Sequence, residues 1–259
     1  MNADPAELPQ TPSFRLDGQR ALVTGAGRGI GLGAAAALAA AGARVTLLAR
    51  GAAEIGAAAE AIRSAGGEAD TLALDLGDVD ALRAALEGRP AFHVLVNNAG
   101  TNRPARFQDV TPEDFDAVLG LNLRGCFFAA QAAARAMIRD AVRGSIINVS
   151  SQMGQVGGPD RSVYCASKWV MEGWTRAMAL DLAPHGIRAN TLCPTFIETP
   201  LTKPFFERPG FRDWVLSRIK LGRVGQVQDL MGAVVFLASD ASALMTGTSL
   251  TVDGGWTAD

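Results

Sequence analysis

The stretch TGAGRGIG, Thr24 to Gly31, decides the fold of this chain. Its first two residues end an apolar run, RALVTG, and its last glycine begins an alanine-rich segment, GLGAAAALAAAGA. Glycines at Gly25, Gly29 and Gly31 allow a tight turn and a close approach of the backbone to an anionic ligand at the start of a helix. Between the first strand and first helix of an alternating chain, such a turn indicates a dinucleotide site.

Short β-branched or leucine-rich runs alternate with longer helical stretches outward from this turn. This alternation is the pattern of a parallel sheet that carries helices on both faces, with right-handed crossovers. The runs are RALVTG, RVTLLA, DTLALD, FHVLVNN, GSIINVSS, IRANTLC and TSLTVDGG. The sequence therefore predicts an α/β fold, a single doubly wound domain of Rossmann type with a seven-stranded parallel sheet, over residues 14–259. Residues 1–13 are expected to form a flexible N-terminal tail.

The composition excludes several classes of function. The chain has 48% hydrophobic and 19% charged residues and a net charge of -2, as an ordinary soluble globular protein does. Lysines and arginines are scattered, so no nucleic-acid partner is expected. The apolar run from Gly31 is shorter than the ~18 residues of a membrane span, and the N-terminus lacks the pattern of a secretory signal. We expect no membrane association and a cytoplasmic location.

Cysteine and histidine are too few and too scattered for the usual metal and nucleophile sites. Cys126, Cys165 and Cys193 form no CxxC pair, and the histidines are His93 and His185. No zinc site can be assembled from these spacings, so no metal is expected. The cysteines are expected to be core thiols in a reducing compartment. Proton transfer in an enzyme of this sequence must use a side chain other than histidine.

Cofactor choice is predicted from the end of the second strand, where an acidic residue would hold the ribose 2′-hydroxyl of NAD. RVTLLARG places Arg50 there instead, and Arg28 in the glycine turn adds a second cation. Because arginine pairs well with a phosphate, NADP(H) is the preferred cofactor and NAD(H) remains an alternative. In the other interpretation, Arg50 only ends the strand in solvent.

Further cofactor contacts are expected where the third and fourth strands end. LALDLGD places Asp75 and Leu76 at the end of the third strand, within reach of the adenine, and NNAG at the end of the fourth strand suits the middle of the cofactor. The candidate residues of this end are Gly25, Arg28, Gly29, Ile30, Gly31, Arg50, Asp75, Leu76, Asn98, Ala99 and Gly100.

The single tyrosine of the chain, Tyr164, stands four residues before Lys168 in VYCASK. On a helix this spacing puts both side chains on one face. Hydride transfer to a carbonyl builds negative charge on oxygen, which a proton donor must neutralise. An ammonium within about 4–6 Å stabilises a phenolate, so the pair is suited to this proton transfer. The plain alternative is a buried aromatic beside a surface lysine.

Five motifs in order, TGAGRGIG, NNAG, LNLRG, INVSSQMG and YCASK, resemble the short-chain dehydrogenase/reductase family from about Phe14 to Trp256. The resemblance implies a catalytic tetrad of Asn122, Ser151, Tyr164 and Lys168. The family's spacing of thirteen residues between serine and tyrosine selects Ser151 over Ser150.

Roles for the tetrad also follow from the resemblance. Ser151 would polarise the substrate oxygen, and Lys168 would hold the nicotinamide ribose together with Tyr164. Asn122 would anchor a water that relays protons from Lys168.

One departure from the family pattern lies in CPTFIETP, where Thr195 stands in place of a common glycine. The resemblance still implies cofactor contacts from Pro194, Ile197 and Thr199. The Thr195 side chain is expected either to narrow the substrate pocket or to point away from it.

The substrate pocket is expected between TNRPARF, QMGQVGGPD and a segment of about 195–225 that is a candidate lid, or else a packed pair of surface helices. The candidate substrate residues are Gln152, Thr195, Phe196 and Phe205. Other polar, aromatic and cationic side chains expected in the walls are Asn102, Gln155, Phe206, Trp214, Arg103, Arg106 and Lys203.

The predicted function is hydride transfer between a nicotinamide cofactor and a small polar alcohol or carbonyl substrate, such as a sugar, polyol or oxo acid. The alternatives are a 3-oxoacyl thioester reductase and a nucleotide-binding regulatory protein whose catalysis has lapsed. Two long helices, residues 111–139 and 161–183, are apolar on more than one side. The resemblance implies that they pair in a homotetramer; burial within one monomer is the alternative.

Overall fold

The computed structural model describes residues 8–258, and its centre is one seven-stranded sheet. All neighbouring strands run parallel, in the order β3-β2-β1-β4-β5-β6-β7. The strands are β1 (Arg20–Thr24), β2 (Arg44–Ala49), β3 (Glu68–Ala73), β4 (Val94–Asn97), β5 (Ser145–Val149), β6 (Arg188–Pro194) and β7 (Ser249–Val252). The predicted fold class is confirmed.

Helices cover the sheet on both faces. They are α1 (Gly29–Ala40), α2 (Ala52–Ser64), α3 (Val79–Glu87), α4 (Pro112–Leu119), α5 (Cys126–Arg139), α6 (Ser162–Leu182), α7 (Lys203–Phe206), α8 (Phe211–Arg218) and α9 (Gln228–Ala238). One core joins the sheet to α1, α2 and α9 and contains Ile147; the other joins it to α3, α5 and α6 and contains Ile146. Successive strand residues point to opposite faces, so the apolar run of β5 supplies both cores.

The strand order reverses at β1, which pairs with β2 on one side and β4 on the other. In open parallel sheets, ligands bind at such a switch point, beyond the carboxyl ends of the strands. The glycine turn that follows β1 therefore lies where the topology places a ligand.

The helix predicted over 111–139 is interrupted by a π-helical stretch, Gly120–Gly125, between α4 and α5. π-Helical turns occur frequently at functional sites, and this one contains Asn122. Among residues 8–258, Pro112–Arg139 is also the one helix with the length and apolarity of a membrane span. Half of its most apolar stretch is buried and it packs against α3 and α6, as a core helix of a globular domain does.

The third strand ends earlier than its sequence predicts. β3 covers Glu68–Ala73, so Asp75 and Leu76 lie in the turn after the strand rather than in it. β3 ends at Ala73 because its residues pair one by one with those of β2, which itself ends at Ala49. The predicted tail lies partly outside the described residues; residues 8–13 are exposed and carry neither helix nor strand.

The segment predicted as a lid contains α7 and α8. Val215 and Ile219 anchor it in a small aromatic-rich cluster with Phe196 and Trp256. The segment is thus packed at α8, while residues 199–202 and Phe205 border open space beside the sheet.

Candidate active site

A continuous cavity of about 440 Å³ runs along the carboxyl ends of β1 to β6. Its volume is within the range of about 300–1,000 Å³ that is typical of ligand and cofactor sites. The predicted site residues that line it are Gly25, Arg28, Gly29, Ile30, Arg50, Asp75, Leu76, Asn98, Ala99, Gly100, Ser151, Gln152, Tyr164, Lys168, Pro194, Thr195, Phe196, Ile197, Thr199 and Phe205. Gly31 and Asn122 lie behind this wall.

The glycine turn has the geometry that its sequence predicts. Gly25 and Gly29 have φ angles of 64° and 56°, in the left-handed region that favours glycine. A Cβ on Gly31 would overlap the carbonyl oxygen of Gly25 and lie 2.5 Å from Asn98 Nδ2. The turn leads into α1, whose first N–H groups can bind a phosphate. This narrow backbone cradle fits the pyrophosphate of a dinucleotide.

NNAG is bound to the same turn through its backbone and side chains. Asn98 Nδ2 donates to the carbonyl oxygens of Thr24 and Gly25, at 3.0 and 3.2 Å. The backbone N–H groups of Asn98 and Ala99 both donate to Thr24 Oγ1 at 3.0 Å. Below them, the buried Asn97 donates to Asn148 Oδ1 and to the carbonyl of Cys126. The motif's amides therefore fix two strand ends to each other.

The two predicted cations lie together at the adenosine end of the cavity. Arg28 Nη1 is 3.6 Å from Glu54 Oε1, and Arg50 Nη1 is 3.9 Å from Asp75 Oδ2. The arginine side chains are 65% and 78% exposed, and exposed pairs at such distances contribute little. Both guanidinium groups remain able to pair with a phosphate. Glu54, which the sequence did not predict as a site residue, brings its carboxylate against Gly27 of the glycine turn.

Tyr164 and Lys168 meet as their spacing predicts, because α6 begins at Ser162 and both lie within its first turns. Lys168 is 4% exposed, and its Nζ donates to the carbonyl oxygen of Val149 at 2.8 Å. The same Nζ lies 5.7 Å from the centre of the Tyr164 ring. The buried ammonium is therefore held between the end of β5 and the single tyrosine.

Ser151 and Ser150 differ in the direction of their hydroxyls. Ser151 Oγ donates to Gln152 Oε1 at 2.7 Å and accepts from the N–H of Met153 at 3.1 Å. Ser150 Oγ is buried against Gly154, with no hydrogen-bond partner among the described residues. This arrangement agrees with alternation along an extended chain, and Ser151 presents the hydrogen-bonded hydroxyl in the cavity wall.

Asn122 is fully buried, and its amide joins three segments. Nδ2 donates to the carbonyl oxygen of Thr101 at 2.9 Å and to Ser167 Oγ at 3.2 Å, while Oδ1 accepts from the N–H of Thr101 at 2.8 Å. Both N–H donors of the side chain are therefore in use. A water bound here would have to contact an oxygen of Asn122, and its role as a water anchor stays a prediction.

The cationic wall of the substrate end differs from the prediction. Arg103, Arg106 and Lys203 do not line the cavity, and Arg103 instead pairs with Asp114 at 2.7 Å. The cation that lines the substrate end is Arg161. The sequence did not predict this residue, although it stands three residues before Tyr164.

Some of the other residues predicted for the wall of the substrate pocket line the cavity, and others do not. Asn102 lines the cavity, whereas Phe206 and Trp214 do not, and Gln155 donates to Thr251 at 3.0 Å instead. Thr195 lines the cavity, and its backbone avoids the left-handed region that would require glycine. Asn102 Oδ1 and Thr195 Oγ1 are buried without a hydrogen-bond partner in the described part of the chain.

The cysteines are free and are core residues or partly buried. Burial raises the pKa of Cys126 to about 11, and burial together with Glu172 raises the pKa of Cys193 to about 12. Thiols with such pKa values are poor nucleophiles at neutral pH. Within residues 8–258, no group of three or more His, Cys, Asp or Glu side chains has the arrangement of a metal site.

Comparison with known proteins agrees with this geometry. Residues 25–257 match the family model described as enoyl-(acyl carrier protein) reductase. The chain is 41% identical to D-erythrulose reductase of Gallus gallus over 245 residues, which cover 95% of this chain and 98% of the relative. It is 40% identical to L-xylulose reductase of Bos taurus, with 95% and 99% coverage.

A solved structure gives the same result in three dimensions. The gluconate 5-dehydrogenase of Burkholderia cenocepacia J2315, in complex with NADP and tartrate, superposes with a TM-score of 0.91 at 41% identity, covering 95% of this chain and 98% of that one. With likeness of this extent in sequence and structure, the protein belongs to the short-chain dehydrogenase/reductase family, NAD(P)-dependent oxidoreductases that act on CH–OH groups.

Proposed function

We propose that the protein transfers a hydride between NADP(H) and a small polyhydroxylated substrate, a sugar, polyol or sugar acid. The observation that carries this proposal is the pair of unpartnered buried oxygens in the cavity wall, Asn102 Oδ1 and Thr195 Oγ1. Buried polar atoms are nearly always hydrogen-bonded, and an amide oxygen needs a donor. A substrate with several hydroxyl groups supplies such donors, whereas an acyl chain does not.

The relatives support the same substrate class. Two of them are named for the sugars erythrulose and xylulose, and the gluconate dehydrogenase structure holds tartrate, a polyhydroxylated acid. The buried Lys168 ammonium beside the Tyr164 ring also favours an active enzyme over a regulatory protein that has lost its catalysis.

Each catalytic residue has a defined task in this proposal. The bound nicotinamide supplies or accepts the hydride. The Tyr164 hydroxyl donates its proton to the developing alkoxide during reduction and removes the alcohol proton during oxidation. The Lys168 ammonium stabilises the phenolate, and Ser151 Oγ turns from Gln152 to the substrate oxygen and stabilises its charge.

Preference for NADP(H) over NAD(H) rests on Arg50 and Arg28, whose carboxylate partners are at least 3.6 Å away. Replacing Arg50 by alanine is expected to raise KM for NADPH roughly tenfold or more and to leave KM for NADH nearly unchanged. Arg44→Ala is the matched control, because Arg44 is an exposed arginine at the opposite end of the same strand. Clear NADH preference of the unmodified protein would contradict this part of the proposal.

Residues 195–225 are proposed to act as a lid over the substrate. Thr199, Leu201 and Phe205 border the cavity, while α8 anchors the segment by its buried side chains. Slower proteolytic cleavage within this segment on addition of NADP(H) is the expected result; an unchanged cleavage rate would favour a static pair of surface helices.

A homotetramer in the cytoplasm is the proposed state of the protein. Phe127 on α5 and Trp169 and Val170 on α6 are exposed apolar side chains, and a second copy of the chain would cover them. Light scattering that shows a monomer at micromolar concentration would overturn the tetramer, and recovery in a membrane or secreted fraction would overturn the location.

The central test is a spectrophotometric one. Absorbance of NADPH and NADH is followed with a panel of sugars, polyols, sugar acids and 3-oxoacyl thioesters. We expect turnover of polyhydroxylated substrates. Preferential turnover of the thioesters would instead establish the acyl reductase alternative.

A further inference from the structure

Arg161 is the most buried arginine of the described residues, with 5% of its surface exposed, and it lines the substrate end of the cavity. It stands immediately before α6, three residues from Tyr164. Its guanidinium carbon lies 4.9 Å from the ring centre of Phe205 and 5.5 Å from that of Phe196. Both rings also line the cavity, so the guanidinium is part of its wall.

No carboxylate of the described residues contacts this cation, and the neighbouring Asp160 acts on it only through its charge, without forming an ion pair. Over residues 8–258, Arg161 has neither an ion pair with a carboxylate nor a side-chain hydrogen bond. Arg188 shows the contrast, since its half-buried guanidinium donates to the carbonyl oxygen of Leu237 at 2.8 Å and to Ser242 Oγ at 2.9 Å. Burial lowers the pKa of Arg161, as expected of a desolvated cation.

Aromatic rings satisfy only part of what a guanidinium requires. They attract its positive charge, but none of its five N–H groups has an acceptor among residues 8–258. A buried charge that lacks both a partner and hydrogen bonds is strongly unfavourable. A ligand in the cavity that Arg161 lines can supply the missing anion. A carboxylate is suited to this, because its two oxygens accept two parallel hydrogen bonds from the planar guanidinium.

We propose that Arg161 binds the carboxylate of the substrate, so that the preferred substrates are polyhydroxy acids rather than neutral sugars. This inference rests on the proposed function, because it assigns a substrate class to the same cavity. The neutral hydroxyl groups of the substrate face Asn102 and Thr195, while its acidic end lies against the Phe196 and Phe205 wall. Arg161 thereby selects which substrate places a CH–OH group near Tyr164.

The test compares Arg161→Met, Arg161→Lys and the control Arg212→Gln. Arg212 is an exposed arginine of the same region that stacks on Phe206 and does not line the cavity. The probes are D-gluconate and D-glucitol, a polyhydroxy acid and a neutral polyol of the same chain length. Turnover and, at saturating NADP⁺, ligand-induced shifts in Tm are measured for each variant.

We expect Arg161→Met to raise KM for gluconate roughly hundredfold and to abolish the Tm shift that gluconate induces. Arg161→Lys keeps the charge but not the bidentate geometry, and it should raise KM for gluconate roughly tenfold. Kinetic constants for glucitol and KM for NADP⁺ should change less than about threefold by the same reasoning. Without ligand, Arg161→Met should have a Tm at least as high as the wild type, because an unpaired buried charge is removed.

Other results separate this inference from its alternatives. If Arg161→Met weakens gluconate and glucitol equally, or shifts the pH profile of kcat for both, Arg161 acts on Tyr164 or on the fold and the proposal is wrong. A lower Tm of the unliganded Arg161→Met variant would likewise mark a structural arginine. If the wild type oxidises no polyol or acid, yet gluconate raises its Tm through Arg161, the proposed reaction fails and the carboxylate site stands.

Discussion

The Lys168 ammonium lies 5.7 Å from the centre of the Tyr164 ring and donates to the carbonyl oxygen of Val149 at 2.8 Å. The hydrogen bond attaches the charge to the end of β5, and the helix places it one turn from the phenol. Because the lysine is buried, its field at the tyrosine is screened little by salt. The proposed proton transfer at Tyr164 depends on this fixed arrangement of charge, strand end and helix.

Replacement of Tyr164 by phenylalanine keeps the ring but removes the proton that the mechanism moves. We expect kcat to fall roughly 10²–10⁴-fold, the usual contribution of a positioned acid or base. NADPH binding, followed by its fluorescence, should change little. Turnover within threefold of the wild type, with any substrate found, would show that another group moves the proton.

The two neighbouring serines should respond differently to alanine. Both serines border the cavity, but Ser151→Ala removes the hydrogen-bonded hydroxyl that the mechanism uses, and kcat should fall roughly 10²-fold. Ser150→Ala removes a buried hydroxyl without a hydrogen-bond partner in the described residues, so activity should stay within about threefold of wild type. Steady-state kinetics of both variants measure the contrast, and the reverse order of effects would exclude Ser151 as the catalytic serine.

Alanine at Gly31 is expected to abolish cofactor binding. Its Cβ would collide with the backbone oxygen of Gly25, which can move aside only if the glycine turn itself is distorted. Gly56→Ala is the matched control, since a Cβ at this position in the middle of α2 meets nothing within 4 Å. The control should gain about 0.5–1 kcal/mol in free energy of unfolding through higher helix propensity. Titration with NADPH measures cofactor binding by Gly31→Ala, and urea unfolding measures the stability of Gly56→Ala. Tight NADPH binding by Gly31→Ala would contradict the assignment of the glycine turn as the cofactor phosphate site.

His93 should make the stability depend on pH. Burial, assisted by the charge of Arg20, lowers the pKa of His93, and its neutral Nδ1 accepts a hydrogen bond from the N–H of Arg20 at 3.0 Å. The unfolded chain, with a histidine pKa of about 6.5, therefore binds a proton more readily than the folded one. The contribution of His93 to the free energy of unfolding is therefore fully present above about pH 6.5. It is lost as the pH falls through the lowered pKa that His93 has in the folded protein.

The measurement is urea unfolding at pH 7 and pH 5. His93→Gln, which keeps an acceptor but does not titrate, should lose less stability between these pH values than the wild type. His185→Gln is the control, because His185 is exposed in a turn, and its loss should equal that of the wild type. Equal pH dependence in His93→Gln and wild type would disprove the assignment.

Much of the fold and part of the candidate site could be predicted from local patterns. Strand runs and helical stretches are properties of adjacent residues, which is why all seven strands were located, although β3 begins two residues earlier than DTLALD indicates. The Tyr164 and Lys168 pair follows from helical periodicity alone. The cations of the substrate end could not be predicted in this way, because Arg103 is paired with Asp114, eleven residues away on another element.

Spacing along the chain was sufficient to establish the alternating parallel sheet, the glycine turn at its switch point and the order of the motifs, because each depends on backbone geometry within a few residues. Only the folded chain brings Arg161 against Phe196 and Phe205 and leaves its guanidinium without an ion pair to a carboxylate of the described residues. Whether a buried charge has a partner is decided by side chains from distant segments. The identity of the substrate-facing cation is therefore a property of the tertiary structure.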